Sequence, residues 1–397
     1  MLQSALKAQH DDTLVSAAHD LIEPLRAAAD EINESRAMPR AILEQLRDAG
    51  LLSMSRPARF GGKSTSLKTV LQVSGELARG DASTGWVHSV YTGHDFLLGR
   101  FSETAQEEFW GSSDLPLCAS SLVPTGKATA VEGGWELSGS WSFCSGIDHT
   151  NWTMLGAFTG MIPGDRPRPQ RRLFLVPASK YTVIDDWQVM GLRGTGSKSI
   201  VLDSVFVPTE RTVADEVFGE PLDAAHRDHS PETRYAAWPL MSFALVGLAP
   251  SVARNAYDHC VGELNAASGK PNPLFESRRP AAAMHLAEAS AEIDSAELLY
   301  QRALDETFAI VDAGEELTME RRVRNRRDQC YAAKLSHTAV SRLLGIGGAR
   351  GIREGGVVQR AYRDLCALTL HPASNWDATA ISYGTVAMGG APTEMIV

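Results

Sequence analysis

Apolar residues recur every three to four positions along the first hundred residues. Leu14–Ile32 and Pro39–Gly50 read as amphipathic helices, the second closed by a glycine, which takes a left-handed C-terminal conformation at little steric cost. Ser66–Arg79 continues the pattern, and Asp81 and Ser83 offer side-chain oxygens to cap the next apolar helix, Gly85–Phe101. Near Leu115 the period shifts to two. Lys127–Val131 and Trp135–Gly139 flank Glu132-Gly133-Gly134, a hairpin pattern. Thr153–Phe158, Arg172–Pro177, Tyr181–Ile184 and Ser199–Val207 read as further strands, with Pro163–Gln170 as a Pro- and Arg-rich loop. Short strands at this spacing predict a small sandwich or barrel. From about Arg234 the helical period returns. Ala281–Gly314, Thr318–Gly345 and the segment after Gly355 predict a bundle of three or four helices.

The expected class is therefore α+β in three regions: helical 1–112, β 113–222 and a helical bundle 223–397. A parallel dinucleotide-binding sheet is not supported. Gly345-Ile346-Gly347-Gly348 follows a helix, whereas the phosphate-binding glycine fingerprint follows a strand. Charge narrows the partners. With 38 Lys+Arg against 48 Asp+Glu the net charge is −10, which argues against nucleic acid, whose phosphates need a cationic face. Arg321–Arg327 carries five arginines in seven residues; on an acidic chain this reads as a solvated or subunit-facing helix surface. The five cysteines lack Cys-x-x-Cys spacing, so neither a disulfide framework nor a metal centre is expected, and a cytoplasmic location is. The N-terminal residues carry His10, Asp11 and Asp12 with no apolar run, unlike a secretory signal. The longest apolar run, near Trp238–Val252, contains two prolines and is too short to span a bilayer.

Four motifs in order carry a family resemblance. They are Glu76-Leu77-Ala78-Arg79-Gly80-Asp81-Ala82-Ser83, Gly191-Leu192-Arg193-Gly194-Thr195-Gly196-Ser197, Val201–Pro208 and Leu344–Gly348. Together they resemble the acyl-CoA dehydrogenases over nearly the whole chain, which implies that fold. The departures are informative. Where that family carries a Tyr-Glu-Gly-Thr-like segment with its catalytic base, this chain has His371-Pro372-Ala373-Ser374. Cys118-Ala119-Ser120-Ser121-Leu122-Val123-Pro124 stands in place of the usual Thr-Glu-Pro-Gly-Ala-Gly-Ser-Asp. Gly85-Trp86-Val87 with His94, Trp141-Ser142-Phe143-Cys144-Ser145-Gly146, Gly191–Lys198 and His371 instead resemble the two-component flavin monooxygenases of the hydroxyphenylacetate-hydroxylase type.

That resemblance implies an oxygenase component using reduced FMN or FAD from a separate NAD(P)H:flavin reductase. With O2 the flavin forms a hydroperoxide that hydroxylates a small aromatic substrate. It also implies a homotetramer. Ser145 matches the position contacting the central flavin nitrogen, with Trp141 and Phe143 as aromatic walls and Ser120 as a flavin- or substrate-contacting hydroxyl. His371 matches the group that tunes proton delivery, and His94, with His88 as a rival, the group that accepts a phenol proton. Gly347 and Gly348 match a flavin-contacting pair, while Lys198 and Arg278 are candidate cations for the flavin phosphate. The apolar segment Ala236–Met241 suits a neutral indole- or phenol-like ring, with Trp238 available to stack. The alternatives are an N- or S-oxygenase acting on a non-phenolic substrate and an FAD-dependent acyl-CoA dehydrogenase.

Overall fold

The computed structural model describes residues 12–162, 168–219, 221–222, 231–268 and 273–393. The first amphipathic segment forms two helices, α1 (Asp12–Asp20) and α2 (Ile22–Ser35). The break is explained by Pro24, which cannot donate to the carbonyl of Asp20 and whose ring crowds it. α3 (Arg40–Asp48) follows Pro39, and Gly50 turns the chain at φ 71°. α4 (Leu67–Gly80) starts where Ser66 Oγ accepts the Thr69 N–H. α5 (Ala82–Leu98) begins three residues ahead of the expected Gly85, because Asp81 Oδ1 caps it by accepting the Thr84 N–H at 2.7 Å. α6 (Glu103–Trp110), too short to stand out in the pattern, is capped by Ser102. Every residue of α5 except Val90 is buried. Its polar side chains must therefore find partners inside the protein.

The central region is one seven-stranded sheet. Its strands are β1 (Cys118–Val131), β2 (Gly134–Cys144), β3 (Trp152–Ile162), β4 (Arg168–Pro177), β5 (Thr182–Ile184), β6 (Lys198–Pro208) and β7 (Thr212–Ala214). They lie in the order β5-β6-β2-β1-β3-β4-β7, parallel only between β1 and β3. Val131 pairs with Gly134 across the hairpin, where Gly133 takes φ 75°. The segment expected as a loop ends in strand: Arg168, Pro169 and Gln170 pair with Ile162, Met161 and Gly160. Pro169 is tolerated because β7 reaches β4 only at 172–174, leaving this stretch on an edge. Inside the sheet Trp141 is fully buried and donates its indole N–H to Gly156 O at 2.7 Å. The β-bulge between Ser121 and Gly126 makes room for that indole; a Cβ on Gly126 would lie 1.9 Å from it.

Six helices follow: α7 (Ala237–Val246), α8 (Leu248–Ser268), α9 (Pro273–Ala313), α10 (Met319–Gly347), α11 (Val357–Leu370) and α12 (Trp376–Ala387). α10 packs against α8, α9, α11 and α12. The arginine-rich stretch on α10 is not a uniformly solvated face. Arg324 pairs with Glu306, Arg327 pairs with Asp328 at 2.6 Å, and Arg326 is buried, donating to Ala373 O at 2.8 Å. Among the described residues no helix is long and apolar enough to cross a membrane, and all five cysteines are unpaired.

Candidate active site

Two histidines on α5 illustrate how burial assigns roles. His88 is locked in the core: Nδ1 meets Ser74 Oγ at 2.8 Å and Nε2 meets Leu51 O at 3.0 Å. His94, the expected phenol partner, points the other way. Its Nδ1 lies 2.7 Å from Cys118 O and its Nε2 lies 2.8 Å from Ser120 Oγ. A carbonyl only accepts, so Nδ1 carries the ring proton and Nε2 is the acceptor. Ser120 therefore donates to Nε2, and its own lone pairs stay open on the half-buried side of β1. Burial pulls the His94 pKa down to about 4, although the Cys118 carbonyl opposes the shift. The ring is neutral, and its basic nitrogen is wired to a hydroxyl. His94 and Ser120 stand 26 residues apart in sequence and meet because α5 packs on β1.

A second cluster surrounds Ser145. The turn carrying it is pinned from two sides: Tyr91 of α5 donates to Gly146 O at 2.6 Å, and Gly146 N donates to Thr195 O at 2.8 Å. Gly146 takes φ 74°, and a Cβ there would strike the Tyr91 ring, so only glycine fits. Trp86 Nε1 donates to Ser145 Oγ at 3.1 Å. The Trp86 ring also stands edge-on to His371, centroids 5.3 Å apart at 80°. Ser145 and His371 thereby both meet one indole. His371 closes α11, where its Nδ1 accepts the Ala373 N–H at 3.1 Å. The neutral ring therefore carries its proton on Nε2, the tautomer opposite to that of His94. Burial, then the nearby positive charge of Arg326, lowers its pKa to about 4.

Phe143 lies two residues before Ser145 in β2, at a register shift against β6. Its φ is +64° and it is 69% exposed, set edge-on to Trp187. A positive φ on a bulky residue is strained, and here it turns an aromatic face outward beside a buried hydroxyl.

Other expected residues sit elsewhere. Trp141 is a core residue of the sheet, as its complete burial requires, and presents no free face. Lys198 is already paired with Asp148 at 2.6 Å and lies 3.8 Å from Asp185, so its charge is compensated without a phosphate. Gly347 and Gly348 lie exposed at the C-terminal end of α10. Trp238 packs on Phe218, centroids 5.0 Å apart, and joins the apolar core. Met241 is the α7 side chain that presses on Gly93, beside His94. Arg278 falls on α9 with its side chain outside the described residues.

Sequence reasoning missed Trp86, Thr195, Ser197 and Asp364 as members of the site. Trp86 and the Thr195–Ser197 turn lay inside quoted motifs, and an indole N–H on an all-buried helix signals a polar partner. Asp364 accepts the Leu192 N–H at 2.6 Å and holds Leu192 at φ +52°. Burial lifts its carboxyl to about 7, against that hydrogen bond. No local pattern marks it.

Helices, sheet and helices in this order, with imidazoles and hydroxyls gathered around α5, give a candidate site on a fold of the acyl-CoA dehydrogenase order. Residues 9–112 match the acyl-CoA dehydrogenase N-terminal domain and residues 240–376 its C-terminal domain. The FADH(2)-dependent resorcinol hydroxylase oxygenase component of Rhizobium sp. (strain MTP-10005) is 32% identical, covering 96% of this chain and 95% of that one. The crystal structure of the 3-HSA hydroxylase from Rhodococcus sp. RHA1 superposes with a TM-score of 0.90 at 30% identity, covering 98% of this chain and 100% of that one. XiaF from Streptomyces sp., in complex with FADH2 and glycerol, gives 0.87 at 27%, covering 97% of each chain. The chain belongs to the oxygenase components of the two-component flavin-dependent monooxygenases. It uses reduced flavin and O2 to hydroxylate an aromatic substrate, with a separate flavin reductase as partner.

Proposed function

We propose that the protein hydroxylates a neutral phenol-type ring held between His94–Ser120 and the flavin. The observation that carries this reading is the His94–Ser120 pair, in which contacts among the described residues leave the acceptor lone pairs of Ser120 Oγ open. A phenol O–H donating to Ser120 passes its proton on to His94 Nε2, which makes the ring more electron-rich where an electrophilic oxygen attacks. Met241 against Gly93 beside His94 gives an apolar lining suited to a neutral ring.

The residues around Ser145 fit a flavin. Phe143 offers an outward aromatic face, Ser145 a buried hydroxyl two residues away and the Leu192–Gly196 turn a backbone rim. Bound there, reduced flavin supplies the electrons that activate O2 and delivers one of its oxygen atoms. His371, packed against Trp86, holds a proton on Nε2 as a neutral donor that cannot act as a strong acid. The burial of α5 excludes water from the wall that carries Trp86 and His94. The finer assignments belong to the same proposal: the chain works as a homotetramer in the cytoplasm, and Phe143, Ser145 and His371 serve the flavin.

The test mixes the protein, chemically reduced FAD or FMN, O2 and a panel of resorcinol-like phenols, and looks for products that gained one oxygen atom. Oxygenation of phenols but not of their O-methyl ethers is expected. Equal turnover of both would overturn the role given to His94. Light scattering tests the tetramer.

A further inference from the structure

Four hydrogen bonds run in series through the floor of the Ser145 cluster. Trp86 Nε1 meets Ser145 Oγ at 3.1 Å, and Ser145 Oγ meets Ser197 Oγ at 2.8 Å. Ser197 Oγ meets Thr195 Oγ1 at 2.7 Å, and Thr195 Oγ1 meets Leu192 O at 2.8 Å. Trp86, Ser145, Thr195 and Ser197 are all buried. The two ends are chemically fixed: an indole N–H can only donate, and a carbonyl oxygen can only accept. The indole supplies one proton and the three hydroxyls supply three. Four links therefore consume four protons, and each hydroxyl accepts one bond and donates one. No hydroxyl in the chain has a proton left over.

The geometry points to a consequence for the flavin: Thr195 and Ser197 act as positioning residues that make Ser145 an acceptor only, so the site reads the redox state of the flavin at N5. This deepens, and rests on, the reading that Ser145 faces the central flavin nitrogen. Reduced flavin carries N5–H, a donor that matches the open lone pair of Ser145. Oxidised flavin carries a lone pair on N5, which meets another lone pair there. An isolated serine would rotate its hydroxyl and serve both states. The far end is anchored too, because Asp364 accepts the N–H of Leu192, the residue whose carbonyl ends the series.

The experiment is a pair of anaerobic titrations on the full-length protein, one with oxidised FAD and one with chemically reduced FAD, giving the ratio of the two dissociation constants. Thr195→Val leaves the Ser197 proton free to turn toward Ser145, and Ser197→Ala leaves the Ser145 proton itself without its acceptor; the Ser145 side chain is retained in both. Both are expected to narrow the preference for reduced flavin by about tenfold, the size of one hydrogen bond gained or lost. Thr195→Ser is expected to keep the wild-type ratio, which a merely structural role of the Thr195 methyl would not. A ratio unchanged in both Thr195→Val and Ser197→Ala overturns the proposal. Ser145→Ala separates the layers. If it moves the ratio while the other two variants do not, the relay falls and the flavin contact stands. If it moves neither affinity, Ser145 does not face the flavin and the underlying reading fails.

Discussion

His94→Asn isolates the basic nitrogen from the rest of the side chain. An asparagine amide nitrogen sits close to where histidine places Nδ1, so the bond to Cys118 O (2.7 Å) can survive. The acceptor at Nε2, 2.8 Å from Ser120, is lost. With a pKa of about 4, wild-type His94 is protonated in roughly 0.03% of molecules at about pH 7.5. Nε2 is thus an available base at any working pH. Removing a positioned base should slow hydroxylation by ~10²–10⁴. The fold should lose only about 0.5–1.5 kcal/mol, because half-buried Ser120 can turn its proton elsewhere. The flavin half of the reaction should persist, so oxygen is consumed and the reducing equivalents appear as hydrogen peroxide. A single-turnover assay with reduced flavin, O2 and a phenol quantifies product and peroxide together. Ser120→Ala added to His94→Asn should cost less than the product of the two single effects, since both break one proton route. In the wild type the product yield should stay level from about pH 6 to 8, falling only as pH nears the folded pKa. A His94→Asn yield within about twofold of wild type would refute this account.

Other consequences follow from packing and titration. Gly126→Ala drives a Cβ to 1.9 Å from the buried Trp141 ring and should cost at least ~1–3 kcal/mol; an unchanged thermal midpoint contradicts the bulge's role. His88 titrates near 4 when folded and 6.5 when unfolded. The unfolded chain therefore binds the extra proton between those values, and stability is full above 6.5 and drains as pH falls toward 4. His88→Gln should flatten denaturation curves across that window by ~1.4 kcal/mol per pH unit. Asp364 has the opposite sign: its folded pKa is raised to about 7, so its contribution drains as pH rises through 7. Asp364→Asn keeps an oxygen for Leu192 N and should gain stability relative to wild type as the buffer moves from about pH 6 to pH 8. Asp364→Ala should lose stability at both, with the Leu192 N–H left unpaired.

Much of the architecture was legible in the chain because helix and strand periods are local. Asp81 as a cap, the Glu132–Gly134 hairpin and the bundle helices could be read from residues within a few positions of each other. The split between α1 and α2 went unread in the expected single helix Leu14–Ile32, although Pro24 marks it locally. The candidate site was legible only in part. Ser145, His94 and Ser120 could be named from motif context, but their working state could not. Whether His94 or His88 meets β1 depends on which side of α5 the sheet covers. Trp141 and Phe143 lie two residues apart in one strand. One fills the core and the other stands outward, because a register shift reverses the alternation that sequence assumes.

The sequence by itself determined the order of helices, strands and helices, the absence of a carboxylate at His371 and the supply of hydroxyls and imidazoles. These are properties of residue type and short-range spacing. Tertiary structure decided which way each proton points. Trp86 reaches Ser145 across 59 residues, Ser145 reaches Ser197 across 52 and Leu192 reaches Asp364 across 172. A hydroxyl's direction is set by its partners, and those partners belong to different elements that meet only in the folded chain.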